Sequence, residues 1–217
     1  MTEQSKAERA RVESLIAAQL GKIKDRGTRE ALQRRLIEPR LKTLLWPYGG
    51  ELESYRCWVV ADLAPSNTAI GYSEQGFGPR TPWGLIWPDG DYPGDDSGWF
   101  STLYEAYLDS FGWEPLEITL DPSPWRTPDD ALDALFVALK LPTDRGPSVD
   151  ALVAAIKKSN GDDIGLPIAI YVLHTKDREP AVAEFLSHLA RDVIGALTRE
   201  GYSIQLTPSW LSDPKDL

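Results

Sequence analysis

The chain has 217 residues, 42% of them hydrophobic and 26% charged, with a formal net charge of -10. Those proportions are ordinary for a folded chain, and the length suits one large domain or two small ones. The acidic balance argues against sequence-independent nucleic-acid binding, and with no 18-residue apolar run and no charged-then-apolar leader, membrane-spanning and secretory readings fall away.

From Gln4 to Leu20, the apolar residues Val12, Leu15, Ile16 and Leu20 follow helical spacing. A second helix is expected from Thr28, its cap, with Leu32, Leu36, Ile37, Leu41, Leu44 and Leu45 as its stripe and a kink at Pro39. Residues 1–45 carry eleven Lys and Arg against six Asp and Glu, and the outward faces of this helical pair read as solvated.

Trp46-Pro47-Tyr48-Gly49-Gly50 ends the helical part. Tyr55–Asp62 and Thr68–Glu74 then read as a hairpin, and Trp83–Trp87 as a third strand. Between the last two lies GFGPRTP, in which Gly76 and Gly78 permit positive φ and Pro79 and Pro82 stiffen the backbone. Arg80, in this loop, is one of two cations between Trp46 and Trp113. The loop lacks the Gly-Lys-Ser/Thr ending of a phosphate loop and leads into a strand, so Arg80 reads as a residue paired with a local carboxylate or as part of a rigid protein-contact loop.

Asp89, Asp91, Asp95 and Asp96 cluster next, but Pro93 and Phe100 occupy positions where a calcium loop needs ligands. Asp96 or Ser97 is the expected cap of a helix over 98–112, and the other carboxylates are solvated or face a basic partner. That helix would bury Trp99, Phe100, Leu103, Tyr104, Tyr107, Leu108 and Phe111. A boundary falls at 111–115, which divides the chain into an α+β region, 1–113, and a second domain, 114–217.

The second half reads strand (116–120), helix (128–140), turn, helix from a Ser148 cap, strand (167–173), long helix to Gly201, and strand (202–206). Thr127-Pro128-Asp129-Asp130 is a helix start with a hydroxyl cap, Pro in the first turn and acids against the dipole. The run PIAIYVL has the pattern of a parallel strand covered on both faces. The long helix carries a stripe of Val182, Phe185, Leu186, Leu189, Val193 and Leu197.

The turn Leu141-Pro142-Thr143-Asp144-Arg145-Gly146 and the helix start Pro147-Ser148-Val149-Asp150-Ala151-Leu152 resemble those of the barstar family, small intracellular inhibitors of a secreted ribonuclease. The resemblance covers about residues 114–209 and implies a three-stranded parallel sheet with packed helices. It also implies a partner-binding surface at the turn and second helix, here Asp144, Arg145, Asp150, Val153 and Ala154. Only Asp150 keeps the family's acidic character. Asp144 and Arg145 stand where the family has aromatic residues, Val153 replaces a tryptophan, and Ala154 replaces the carboxylate that matters most for inhibition. Those departures argue against the family's own ribonuclease as target and for a different toxin.

The expected function is therefore a non-enzymatic immunity or antitoxin-type protein that occludes the active site of a basic toxin such as a nuclease, with Arg80, Asp95 and Asp96 as further contacts. The alternative is an enzyme or small-ligand protein built on the Arg80 loop and the acidic cluster. No cofactor or metal is expected: His174 and His188 lack ligand spacing, and no serine sits in a nucleophile elbow. The single cysteine, Cys57, can form no internal disulfide, which points to a reducing cytoplasm. No direct nucleic-acid or membrane partner is expected.

Overall fold

The computed structural model describes residues 3–46, 53–94, 98–142, 146–159, 166–173, 175 and 179–209. Two compact units make up the chain, Met1–Ile23 with Thr28–Glu114 and Lys24–Gly27 with Pro115–Leu217. No helix among the described residues is long and apolar enough to cross a membrane. The architecture is mixed α/β, with a small antiparallel sheet in the first unit and a three-stranded parallel sheet in the second.

In the first unit, α1 (Glu3–Leu20) buries Val12, Ile16 and Leu20 at the expected i, i+4 spacing. Arg9 pairs with Glu13 and Glu38, Arg11 with Glu74, and Glu8 with Arg56, so part of the basic N-terminal segment is neutralised by nearby acids. The second helix is much shorter than expected. α2 spans Arg26–Arg35, and the remainder of the stripe is a strand, β1 (Leu36–Trp46), antiparallel to β2 (Glu53–Asp62). Pro39, buried, lies in an irregularity of that pairing between Leu36 and Arg40, where its missing N–H leaves no gap in the ladder.

β2 pairs with β3 (Ala69–Tyr72), β3 with β4 (Trp83–Ile86), and β4 with the two-residue β5 (Trp99–Phe100), giving the sheet order β1-β2-β3-β4-β5. Alternation along β2 divides the core. Trp58 and Val60 join residues of α1 and α3 (Leu103–Leu108) in one cluster. Tyr55, Cys57 and Val59 join Leu44, Ala69, Ile86 and Trp99 in another. The sheet curls towards its own first strand: the Leu45 N–H donates to Asp91 O at 2.6 Å, and Lys42 Nζ donates to the carbonyls of Trp87 and Pro88.

Two glycines make room inside this curl. Gly71 and Gly84 face each other across β3 and β4, and a Cβ on Gly84 would lie 2.3 Å from the Trp99 indole. A Cβ on Gly71 would lie 2.6 Å from Cys57 Sγ. The indole is fixed by its Nε1–H, which donates to Pro93 O at 2.9 Å. Cys57 is completely buried, and burial pushes its thiol up to about 12. Thiolate is the reactive form, so Cys57 is expected to resist a thiol reagent at neutral pH until the unit unfolds. The rate of aryl-disulfide reagent consumption across a urea series measures this.

The expected helix over 98–112 is also shorter. Thr102 caps α3: its Oγ1 accepts from the Glu105 N–H, and the Glu105 carboxylate accepts from the Thr102 N–H. The helix therefore starts after Trp99 and Phe100, which the sheet has taken, and the cap expected at 96–97 is replaced by Thr102. Phe111 lies beyond the helix and is 86% exposed, not part of a buried stripe.

The second unit follows the expected element order. β6 (Leu116–Leu120), β7 (Ile168–Val172) and β8 (Ile204–Pro208) run parallel in sequential order. The rows Leu116–Ile168–Ile204 and Ile118–Ile170–Leu206 alternate with the more polar rows Glu117–Ala169–Gln205 and Thr119–Tyr171–Thr207. Residues of α4 (Pro128–Ala138), α5 (Val149–Ser159) and α6 (Pro180–His188) share one core with Ile168, Ile170 and Val172.

α4 is closed at both ends. At its start, Thr127 and Asp130 form a reciprocal capping box, and the two backbone N–H groups bonded to Asp130 hold its carboxyl below the usual range. At its end, Leu141 N donates to Phe136 O at 2.8 Å and Lys140 N to Val137 O at 3.1 Å, a Schellman closure with Lys140 at φ 54°. A side chain is strained there, so Lys140→Gly should stabilise the second unit by about 1 kcal/mol in urea unfolding.

The last helix is not uniform. After α6 comes a π-helical stretch, Leu189–Ile194, and then α7 (Gly195–Arg199). The Gly195 N–H donates to Ala190 O, five residues back, and the buried positions step from Leu189 to Ile194. The expected stripe used Val193 instead, which is half-buried.

Candidate functional site

The surface implied by the family resemblance is organised by α5. Gly146 has φ 76° with open space where a Cβ would point, and Pro147 and Ser148 follow. Ser148 Oγ accepts from the Ala151 N–H at 3.1 Å and so caps the helix. Leu152 and Ile156 enter the core, and Val153 packs half-buried against it. Asp150 and Ala154, four residues apart, are exposed on one face. Asp150 thus projects from the first turn of a helix whose last turn carries Lys157 and Lys158, and Lys157 is paired with Glu200 at 2.7 Å. Asp144 and Arg145 lie outside the described residues, as do Asp95, Asp96 and His174.

In the first unit, Gly76 and Gly78 have φ of 71° and 91°, as their loop requires. Phe77 anchors that loop, packing edge-on against Trp46 with centroids 4.9 Å apart and tilted against Trp99 at 5.4 Å. Thr81 N donates to Gly78 O, and Ser73 N to Pro82 O. Arg80 is exposed at this fixed turn; among the described residues no carboxylate pairs with it, and Asp95 and Asp96 lie outside them.

A cleft of about 280 Å³ lies elsewhere in the same unit. Thr68, Ile86, Trp87, Asp109, Ser110 and Phe111 are among its lining residues; Arg80, Asp89 and Asp91 are not. The structure therefore does not join the Arg80 loop and those aspartates in this concave site. Asp109 follows α3, where its backbone N–H closes the helix. The residue as a whole is exposed, yet partial burial of its carboxyl pushes it above the ordinary aspartate value, and no charged neighbour contributes to that shift.

The aromatic walls are held by local turns. Ser110 Oγ donates to Tyr107 O at 2.6 Å and accepts from the Gly112 N–H, while Tyr107 Oη donates to Gly112 O at 2.9 Å. Phe111 is thus presented outward by a bonded turn. Trp87, 58% exposed, precedes a turn in which Gly90 N donates to its carbonyl. Helical spacing alone places Phe111 in a core stripe and Trp87 at a strand end, and it gives Asp109 no role. The Thr102-x-x-Glu105 pattern is the signal that sets the helix start correctly, and Asp109-Ser110-Phe111-Gly112 is a turn signature.

Comparisons with protein-family models, curated proteins and solved structures give no match for this chain.

Proposed function

We propose that this chain is a non-enzymatic immunity or antitoxin-type protein that binds a cognate bacterial toxin and occludes its active site. The observation that carries the reading is the second unit's β6-α4-α5-β7-α6-α7-β8 order, with three parallel strands in sequence and a capped α5 exposing Asp150 and Ala154. This is the element order of the barstar-like scaffold that the turn and helix sequence resembles. A helix N-terminal turn that projects a carboxylate suits a cationic active site, because the two potentials are complementary and steer association. Barnase with barstar is itself the standard example of such steering, so the strength of the effect is borrowed from that pair.

The toxin expected is a basic nuclease, since the overall charge of -10 complements an enzyme surface built to hold phosphates. The replacement of the family's aromatic and acidic contacts by Val153 and Ala154 points to a target other than the family's ribonuclease. The test uses the purified chain as bait in a lysate of its native bacterium at low and moderate salt. One stoichiometric basic protein should be retained, and co-expression of the chain should relieve that protein's toxicity. Absence of any enriched partner at either salt, or a partner whose toxicity is unchanged, overturns the proposal.

A further inference from the structure

We infer that the first-unit cleft beside Asp109 receives an arginine side chain presented by a basic polypeptide, with Asp109 as the counter-charge and Trp87 and Phe111 as stacking walls. This second binding site shares no residue with the α5 surface, and it does not depend on the inhibitor reading.

Three observations converge on it. First, two large aromatic residues lining one cleft are left in water, Phe111 at 86% and Trp87 at 58% exposure. Burying such side chains is favourable, so a bonded turn that holds Phe111 outward forgoes that gain. Second, Asp109 meets the same cleft without a hydrogen-bond donor or cation from any described side chain, and partial loss of water already disfavours its charged form. An entering cation relieves that penalty, whereas an anion or an apolar plug deepens it. Third, the stretch 46–113, which supplies the described lining of the cleft, carries two Lys and Arg against ten Asp and Glu, a balance that favours a positive partner.

Size and shape select the group. A volume of about 280 Å³ is small for a drug-sized ligand but adequate for one long side chain. A guanidinium is flat, weakly hydrated and able to stack on an aromatic ring while donating two parallel hydrogen bonds to a carboxylate. An ammonium has neither the plane nor the fork. Lys42, a cation of the chain itself, is engaged by the carbonyls of Trp87 and Pro88. Both walls rest on closed turns, so little ordering cost remains to be met on binding.

The test titrates the full-length protein with the peptide acetyl-Gly-Gly-Arg-Gly-Gly-amide and with its citrulline counterpart, which keeps the shape and removes the charge. Proton–nitrogen spectra should show saturable shifts at Thr68, Asp109, Ser110, Phe111 and the Trp87 indole. Citrulline should bind about tenfold more weakly, and a lysine peptide several-fold more weakly. Asp109→Asn and Phe111→Ala should each weaken the arginine peptide by about tenfold; Phe111 is exposed, so its loss leaves the fold intact, as dispersion elsewhere in the spectrum verifies. Shifts spread over the acidic surface and unchanged in both variants overturn the site in favour of diffuse charge attraction. Equal binding of arginine and citrulline, or no saturable shift, overturns it as well.

Discussion

A single methyl group at position 84 should destabilise the first unit by about 3 kcal/mol, the top of the usual range for overpacking. The Gly84→Ala Cβ would fall 2.3 Å from the Trp99 ring system, and the neighbouring ring atoms lie at 2.5 and 2.6 Å. The indole cannot simply slide aside: it is buried in the cluster with Leu44, Cys57 and Ile86, and its N–H is bonded to Pro93 O. Moving it gives up that hydrogen bond, worth about 1 kcal/mol, together with ring contacts on several sides. Urea unfolding followed by circular dichroism measures the loss. The decisive control repeats the substitution in a Trp99→Leu background, where it should cost less than about 1 kcal/mol because the obstructing ring is gone. Equal costs in the two backgrounds would mean that the strain lies in β4 itself.

If the chain is the toxin inhibitor proposed above and α5 its inhibitory surface, charge reversal at Asp150 should weaken that binding by about 100-fold, mostly through faster dissociation. Asp150 is exposed, so Asp150→Lys removes one attraction and adds one repulsion without opening the core. Its effect on the helix itself is limited to the dipole contribution of the first turn, about 0.3–1 kcal/mol. Ala154→Arg, one turn further on the same exposed face, adds bulk and positive charge without touching the cap and should give a loss of similar size. Surface plasmon resonance against the captured toxin measures both. Unchanged dissociation rates in the two variants would remove α5 from the interface.

Helices with an uninterrupted stripe were legible from sequence because one period dominates them. α4 and α5 fall close to where their apolar spacing predicts, α1 does so on the sparse spacing of Val12, Ile16 and Leu20 alone, and β2 and β7 lie where apolar runs meet turn residues. β1 was not legible for a physical reason. Leu32, Leu36, Ile37, Leu41 and Leu44 fit a helical face as well as they fit a strand, and pairing with β2 from Leu36 to Trp46 decides between the two. The same ambiguity hid β5, whose Trp99 and Phe100 continue the aromatic spacing of α3 until the glycine hollow at Gly84 claims the indole. The Leu189 to Ile194 step escaped because a π-turn is recorded in no residue type. Of the implied family surface, Asp150 and Ala154 occupy one exposed helix face as the spacing requires. The cleft at Asp109 was out of reach, since its walls come from positions 68, 85–87, 94, 98 and 109–111, and only the folded sheet assembles them.

The outermost strand of the antiparallel sheet is its longest, eleven residues, and such a border is ordinarily a template on which a second molecule can add a strand and begin a fibril. Pro39 offers no donor to an incoming chain, and the irregular pairing around it bends the border out of line. Arg40 follows as an exposed cationic gatekeeper, and the Lys42 ammonium and the Leu45 N–H are already committed to carbonyls of residues 87–91. Resistance to self-templated aggregation is thereby written into β1 residue by residue, separately from the repulsion that the chain's net charge supplies.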